Sequence, residues 1–216
     1  MTGKEYPVRR HRADAPMRID GEGNSSAWGA AQVLDDFTFP WLDTPAPATC
    51  FRALWDRQYF YFFFTASDAE LVLADGADSS ERVIGSDRVE IFLATGRELQ
   101  PYYGIEMDPR GEVVDYRGRF HRDIDWDWCY EGLEFQARQN ADGYSVEGRI
   151  TLSSLQQLGC LHEDEAGRYL IAGLFRAEFS YDKSRQTVQN WIAWVDPQVA
   201  EPDFHVPSAF GCLRLL

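Results

Sequence analysis

Indole rings and carboxylates stand close together in one loop of the sequence, HRDIDWDWCYEG. It carries Trp126 and Trp128 two residues apart, among Asp123, Asp125 and Asp127. Alternate residues of an extended segment share a side, so both indoles lie on one face if the loop is extended. Aromatic rings pack against the C–H faces of a sugar, and planar polar groups bond its hydroxyls. The loop is therefore a candidate saccharide contact, and a packed lid over the core is the alternative.

Two glutamates on neighbouring predicted strands form a second candidate site. Glu90 lies in SDRVEIFL and Glu106 in YYGIEM. Two carboxylates across a cleft are what glycoside hydrolysis requires, so they are also the acid and base of an alternative, catalytic interpretation. With 35 acidic residues in the chain, such pairs also arise by chance, and binding without catalysis is favoured. P-loop, G-x-G-x-x-G, G-x-S-x-G and H-E-x-x-H motifs are absent from the sequence, so the chemistries they serve have no support.

Charged and aromatic residues near the end of the chain complete the candidate binding site. Arg176 and Glu178 alternate with apolar residues in FRAEF, so both are expected on one face, where they either pair with each other or line a cleft. Trp194 is three residues after Trp191 in NWIAWVDP, which places the two indoles on opposite faces of a strand. Trp194, near the strand end, is the candidate of the two. Phe204 and His205, in the loop that follows, are the remaining candidates.

Metal and thiol chemistry have weaker signals. Asp68, Asp87 and the acidic run 75–78 supply oxygen donors of the kind that Ca²⁺ prefers, but the spacing of a D-x-[DN]-x-[DN]-G loop is missing. The four cysteines contain no C-x-x-C pair, which predicts buried free thiols, with one disulfide as the alternative.

The overall charge narrows the class of partner. The formal net charge of −14 repels phosphate backbones and anionic headgroups, so nucleic acid and membrane surfaces are disfavoured. Apolar runs such as YFYFFF are far shorter than the roughly 18 residues of a membrane-spanning helix. The N-terminus has no secretory h-region, which indicates a cytoplasmic protein if this end is native and a secreted or periplasmic one otherwise.

The pattern of short segments predicts an all-β protein. Runs rich in Val, Ile, Tyr and Phe recur between Gly, Pro, Asn and Asp, which is typical of a β-sandwich or barrel. We expect one domain over 17–216, preceded by an arm over 1–16 that is mobile or laid along the sandwich, since 216 residues suit one large core. The predicted strands are 17–20, 32–37, 49–55, 59–67, 88–93, 102–107, 113–116, 133–138, 143–150, 169–179, 187–194 and 212–215.

Local signals predict the connections and one central strand. DPRG and NADG are expected hairpin turns, and NSSAWGAA and TLSSLQQLG are expected short helices with Ser25 or Ser26 and Ser153 or Ser154 as N-caps. In the six-ring run YFYFFF, alternation puts Phe60, Phe62 and Phe64 on one side and Tyr59, Tyr61 and Phe63 on the other. We expect the Phe row in the core and the Tyr row under loops or a second layer, with a ligand platform on the Tyr row as the alternative.

The order of motifs resembles a known family. RIDGEGNSSAW, ALWDRQYFYFFFTASD, SDRVEIFL, YYGIEMDPRGEVVD, GYSVEGRITLSSL, WIAWVDP and HVPSAFGCLRL together are similar to family 9 carbohydrate-binding modules and their wider DOMON-like relatives, from about Arg18 to Leu216. The most specific matches are D-x-V-E-I-F and P-x-x-F-G-x-L-R-L. The resemblance implies a jelly-roll-like antiparallel β-sandwich with short helical fragments. It also implies non-catalytic saccharide binding, often with structural calcium and attachment to a glycoside hydrolase.

The predicted pocket departs from the family pattern. Two tryptophans that clamp the sugar in the characterised modules fall on Ile84 and Phe204 here. The glutamate is retained as Glu90, whereas an arginine of the following strand is replaced by Glu106. We therefore expect an altered sugar site with two carboxylates and one ring, and an interaction domain without a small ligand is a further alternative.

Overall fold

Strands dominate the chain, as the short Val-, Ile- and aromatic-rich runs predict. A computed structural model describes residues 3–12 and 16–216. The strands are β1 (Glu5–Arg10), β2 (Thr49–Trp55), β3 (Tyr59–Ser67), β4 (Arg88–Ala94), β5 (Tyr102–Met107), β6 (Val113–Arg119), β7 (Asp123–Asp125), β8 (Leu133–Asn140), β9 (Gly143–Thr151), β10 (Leu161–Asp164), β11 (Gly167–Tyr181), β12 (Thr187–Ala193) and β13 (Gly211–Leu215). The helices are α1 (Ser79–Ile84) and α2 (Leu152–Gln157), with 3-10 turns at Ser26–Ala30 and Pro207–Ala209. The all-β prediction is confirmed.

The strands form one curled sheet that folds into two layers. Its order is β7-β6-β5-β4-β11-β13-β1-β2-β3-β9-β8, and β10 and β12 also pair with β11. We call the part from β7 to β13 the first layer and the part from β2 to β8 the second. All pairings within these two layers are antiparallel. Strand β1 joins the layers, because its first four residues pair in parallel with β13 and its last two residues pair in parallel with β2.

Strand β1 lies inside the segment that the sequence predicts as an N-terminal arm. Tyr6 and Val8 are fully buried, and the hydroxyl of Tyr6 donates to the carbonyl of Gln32 at 2.6 Å. Basic residues and Pro7 hide the strand pattern in KEYPVRR, although the alternation of Tyr6 and Val8 is present. The described part of the arm is thus integrated into the sheet.

The two layers enclose the main core. Val89, Ile91 and Leu93 of β4 lie in one apolar cluster with Phe60, Phe62 and Phe64 of β3, which confirms the predicted position of the Phe row. On the other side of β3, Tyr61 and Phe63 pack under Met17, Ile19 and Trp28, as expected for a row covered by loops. These two clusters account for the six-ring run as a structural strand.

Two predicted strands are irregular. At 17–20 the chain is held by the carboxylate of Glu147, which accepts from the backbone N–H groups of Asp20 at 2.9 Å and Gly21 at 2.8 Å. These N–H groups are therefore not available to a neighbouring strand. At 32–37 a single bridge, from Leu34 to Phe51, takes the place of the predicted strand.

The predicted turns and short helices are largely confirmed. The hairpins at DPRG and NADG are present, and Ser25 caps the first 3-10 turn through a bond from the N–H of Ala27. The cap of α2 is Thr151 rather than Ser153 or Ser154. Helix α1 lies in a segment for which the sequence predicts neither a strand nor a helix, and the side chain of Asp78 caps it. No helix in the described ranges is both long and apolar enough to cross a membrane.

The outer face of the first layer carries the candidate site. Because side chains alternate along a strand, Arg88, Glu90 and Phe92 of β4 point away from the main core. A second apolar cluster covers this face, and it includes Phe92, Tyr116 and Phe175. Loops after β6 and β12 close over the charged end of the face and form a small cleft.

Candidate functional site

A row of buried charges forms the floor of the cleft. Glu90 of β4 and Glu106 of β5 are direct cross-strand partners, and Arg88 lies on the same face as both. The Nε of Arg88 donates to Oε2 of Glu106 at 2.6 Å and lies 3.0 Å from Oε1 of Glu90. Its Nη1 donates to the carbonyl of Ile84 at 2.8 Å, which fixes the guanidinium. All three charged side chains are buried.

The surroundings of Glu90 favour its neutral form. Burial raises the pKa of Glu90 to about 8, with a further contribution from the negative charge of Glu106 and an opposing one from Arg88. Glu90 is therefore a neutral acid at pH 7, and it can donate a hydrogen bond. The shorter bond of Arg88 goes to Glu106, so this pair carries opposite charges across the floor.

Two buried oxygens of the floor lack a hydrogen bond. Oε1 of Glu90 lies 3.0 Å from Nε of Arg88 without the geometry of a hydrogen bond, and the hydroxyl of Tyr116 interacts with Glu106, also without that geometry. Buried polar atoms are almost always hydrogen-bonded in proteins, and an unpaired one costs about 1–3 kcal/mol. Glu90 lines the cleft, so its Oε1 marks a place that a hydroxyl-bearing ligand or water completes.

Aromatic residues form the walls. The cleft has a volume of about 80 Å³ and is bounded by Trp191, Phe204 and His205 above the charged floor. Phe204 is 5% exposed, and its ring stacks on Phe175 at 4.0 Å and 9°, so its faces are used inside the protein. His205 shares a 2.6 Å hydrogen bond through Nδ1 with the hydroxyl of Tyr102. Burial, with a smaller effect of nearby Arg122, lowers the pKa of His205 to about 4, so the ring is neutral at pH 7.

Charged groups join the loops over the cleft. Asp203 accepts from Arg122 at 2.9 Å and from the backbone N–H of His205 at 2.8 Å, and it lies 2.6 Å from Nε2 of His121. The connection after β6 is thereby tied to the loop before β13. Arg122, Pro202 and Asp203 line the cleft at this point.

Four of the sequence-predicted site residues meet in this cleft: Glu90, Glu106, Phe204 and His205. Trp126 and Trp128 do not lie on one face. Trp126 is 52% exposed and packs on Tyr116 of the outer face at 4.9 Å, whereas Trp128 packs on Tyr103 of the main core at 4.8 Å. The chain turns at 126–127 instead of running extended, so the two-residue spacing does not keep the indoles together.

The other three predicted residues lie on the inner face of the first layer. Trp194 is 1% exposed in the main core and has no ring face available to a ligand. Arg176 and Glu178 lie on the side of β11 opposite to Glu90, because the cross-strand partner of Glu90 is Phe175. The structure therefore does not bring these residues into the cleft with Glu90 and Glu106.

Arg176 organises a separate acidic cluster at the end of the main core. Asp68, Asp87 and Glu178 each place one carboxylate oxygen within 4.8 Å of the others. Nη2 of Arg176 lies 3.1 Å from Oδ2 of Asp68 and also contacts Glu178. Asp87 accepts from the N–H groups of Val72 at 2.6 Å and Phe179 at 2.7 Å. Burial raises the pKa of Asp87 to about 6 and that of Glu178 to about 8.

This donor set does not fit the calcium ion that the family resemblance implies. A fully buried guanidinium already supplies the positive charge between Asp68 and Glu178, and both oxygens of Asp87 are bonded to the backbone. Calcium needs six to eight free oxygen ligands. Asp68 and Asp87 are brought together as a structural ion-pair cluster.

Sequence reasoning missed Arg88, Trp191 and Asp203 of the cleft. Arg88 had a usable signal, because it is two residues before Glu90 in RVEIF and must share its face. Trp191 was placed correctly on the face opposite to Trp194. Trp191 reaches the wall of the cleft because β12 pairs with β11, and no local sequence pattern encodes this pairing. Asp203 and its partners belong to loops with no periodicity.

Solved structures share the fold. A protein from Bacteroides uniformis assigned to carbohydrate binding is 18% identical, with a TM-score of 0.75 and coverage of 100% of both chains. A family 9 carbohydrate-binding module from Caldicellulosiruptor kristjanssonii in complex with cellotriose is 22% identical, with a TM-score of 0.59 over 98% of this chain and 93% of that one. The complex of such a module with glucose gives 22% identity and a TM-score of 0.57, over 99% and 96%. No curated protein sequence matches this chain.

The family match agrees with the motif order from the N-terminal RIDG to the terminal strand. The model of the family described as "Carbohydrate family 9 binding domain-like" matches residues 19–216, nearly the whole chain. The chain therefore belongs to the family 9-like carbohydrate-binding domains.

Proposed function

We propose that this chain binds the end of a saccharide, without altering it, in the cleft above Arg88, Glu90 and Glu106. The observation that carries the proposal is the buried floor of the cleft, where Oε1 of Glu90 lies beside the Arg88–Glu106 pair without a hydrogen bond of its own. In this floor a neutral acid and a guanidinium donate and a carboxylate accepts. A sugar hydroxyl both donates and accepts, so two neighbouring hydroxyls satisfy such a mixed set.

The size of the cleft suggests which part of the sugar enters. At about 80 Å³ the cleft is much smaller than a typical ligand site of about 300–1,000 Å³, so it cannot enclose a whole sugar ring. It has room for the hydroxyl-bearing edge of one ring, with the ring itself at the mouth beside Trp191. The family modules in complex with glucose and cellotriose support a saccharide as the ligand class.

The arrangement of the carboxylates favours binding over hydrolysis. A glycosidase places its two carboxylates on either side of the scissile bond. Glu90 and Glu106 are cross-strand neighbours on one floor and share one guanidinium. A sugar in the cleft would contact both from the same side, which suits recognition.

The test compares two buried tyrosines whose hydroxyls lack partners. Tyr116 lies on the outer face beside Glu106 of the cleft floor, whereas Tyr144 lies near Arg176 on the inner face. Tyr116→Phe and Tyr144→Phe each remove an unpaired buried hydroxyl, so both are expected to unfold at slightly higher urea. In calorimetric titrations with glucose, cellotriose and a panel of neutral glycans, we expect Tyr116→Phe to weaken binding about tenfold, the equivalent of one hydrogen bond, and Tyr144→Phe to leave it unchanged.

Two outcomes would contradict the proposal. One is that no glycan binds the wild-type chain, which would favour an interaction domain without a small ligand. The other is equal affinity of both variants. Release of reducing sugar from an oligosaccharide, abolished by Glu90→Gln, would instead support the hydrolase alternative.

A further inference from the structure

A second, larger groove runs along three loops beside the cleft, and we propose that it binds the next sugar units of a neutral oligosaccharide. This inference rests on the proposed function, because the end of the same glycan would occupy the cleft. The groove is formed by residues 40–43, 189–191 and 199–202, and its volume is about 750 Å³. Ligand sites of this kind typically measure about 300–1,000 Å³.

The groove and the cleft are adjacent. Trp191 and Pro202 line both of them, so a glycan chain that leaves the cleft can pass along the groove. Trp191 also lies under the guanidinium of Arg88, with 5.7 Å between the guanidinium carbon and the ring centroid. One indole thus borders the charged floor on one side and the groove on the other.

Two half-buried indoles are held in fixed orientations along the groove. Nε1 of Trp41 donates to the carbonyl of Val199 at 2.9 Å, which ties the indole to the opposite loop. The ring of Phe204 supports both indoles from behind, with centroid distances of 5.8 Å to Trp41 and 5.4 Å to Trp191. Rings that are already immobilised lose little entropy when a ligand stacks on them.

The polar lining selects the class of glycan. Gln189 and Asn190 offer planar amides for sugar hydroxyls, and Asp43 and Glu201 offer carboxylates. None of the described residues that line the groove is basic. An acidic groove on a chain with net charge −14 repels uronate or sulfated sugars, so the ligand is a neutral glycan of at least two residues.

The experiment is a chain-length series measured by calorimetry. Glucose, cellobiose, cellotriose and cellotetraose, with one mixed neutral series such as mannan oligosaccharides, are titrated into wild type, Trp41→Ala, Gln189→Ala and Trp55→Ala. Trp55 is the matched control, because it lies on β2 in the second layer, where its Nε1 donates to the carbonyl of Leu216. We expect affinity of the wild type to rise about tenfold from the monosaccharide to the trisaccharide through ring stacking in the groove.

Trp41→Ala is expected to lose that tenfold gain with chain length. Gln189 is exposed, so Gln189→Ala is expected to fold normally and to lose a smaller part of the gain in affinity with chain length. It provides the test if Trp41→Ala is too unstable to measure. The groove proposal is wrong if the wild type binds all chain lengths with equal affinity, or if both variants retain the gain in affinity with length. Either result leaves the proposed cleft intact. If the wild type binds no saccharide of any length, the proposals for the cleft and for the groove are both wrong. Tighter binding of an oligogalacturonate than of the neutral series overturns the assignment to neutral glycans.

Discussion

Glu90 and Glu106 face each other across β4 and β5 and share one guanidinium, yet only Glu106 has a hydrogen bond to it. Two carboxylates this close cannot both be charged cheaply in a buried site with a single cation. The raised pKa of Glu90 resolves the conflict by keeping its proton. The floor therefore contains one donor acid, one acceptor carboxylate and one donor guanidinium, which is a mixed surface for hydroxyl groups.

This sharing predicts that substitutions of the two glutamates are not additive. In Glu106→Gln, Glu90 can ionise and take over the pair with Arg88, and in Glu90→Gln an amide replaces an acid that is already neutral. We expect each single variant to lose less than about 2 kcal/mol of unfolding free energy. The double variant leaves Arg88 buried without an anion, which costs about 3–5 kcal/mol. Urea unfolding of the four proteins at pH 7 gives the coupling energy, and additive losses would mean that Glu90 does not replace Glu106.

The protonation of Glu90 also predicts a pH dependence of stability. Its pKa is raised from 4.5 to about 8 in the folded chain, so the folded state holds a proton that the unfolded state has released over this range. The contribution of Glu90 to the free energy of unfolding is therefore lost as the pH rises from about 4.5 to 8. Glu90→Gln should remove this part of the dependence, so its stability relative to wild type should increase between pH 5 and pH 8.

The comparison isolates Glu90 because the other raised carboxyl pKa values, those of Asp87 and Glu178, belong to both proteins. Urea midpoints at several pH values provide the measurement. Parallel curves for the two proteins would show that Glu90 is charged in the folded state.

The Arg176 cluster is predicted not to bind calcium. The guanidinium already pairs with Asp68 and Glu178, so we expect the same melting temperature in millimolar Ca²⁺ and in chelator. Arg176→Met should lose about 3–5 kcal/mol, since it leaves Asp68 and its buried acidic neighbours without their cation. Arg185→Met, which removes an exposed ion pair with Glu70, is the matched control and should change stability by less than about 1 kcal/mol. A saturable rise of the wild-type melting temperature with Ca²⁺ would contradict this account.

Strand alternation accounts for what could be predicted from the sequence. It placed Phe60 in the core, Tyr61 under the N-terminal loops, and Trp191 and Trp194 on opposite faces of the first layer. Each of these conclusions concerns relative positions within one strand, which a period of two determines locally. The motif order supplied the family and hence the β-sandwich.

What could not be predicted depends on pairing between distant segments. Arg176 was grouped with Glu90, but the register of β11 on β4 puts Phe175 opposite Glu90 and turns Arg176 inward. Trp126 and Trp128 were separated by a turn without Gly or Pro to mark it. Strand β1 depends on parallel partners from both ends of the chain, and its own composition is basic and polar.

A glycine beneath Tyr116 gives the last prediction, because it sets the height of that ring under the cleft. Gly104 is the cross-strand partner of Tyr116, and a methyl group at Gly104 would come within 2.2 Å of the ring. Gly104→Ala should therefore displace Tyr116, whose ring centroid is 6.1 Å from that of His205, and shift its hydroxyl relative to Glu106. The overpacking is expected to cost about 1–3 kcal/mol of stability. Saccharide affinity should fall about tenfold, the equivalent of one lost hydrogen bond.

Gly148→Ala is the control, since its methyl group would meet the ring of Phe62 at 2.3 Å in the main core. It should cost similar stability and leave the affinity of the folded protein unchanged, and equal affinity losses in the two variants would argue that Tyr116 does not contact the ligand.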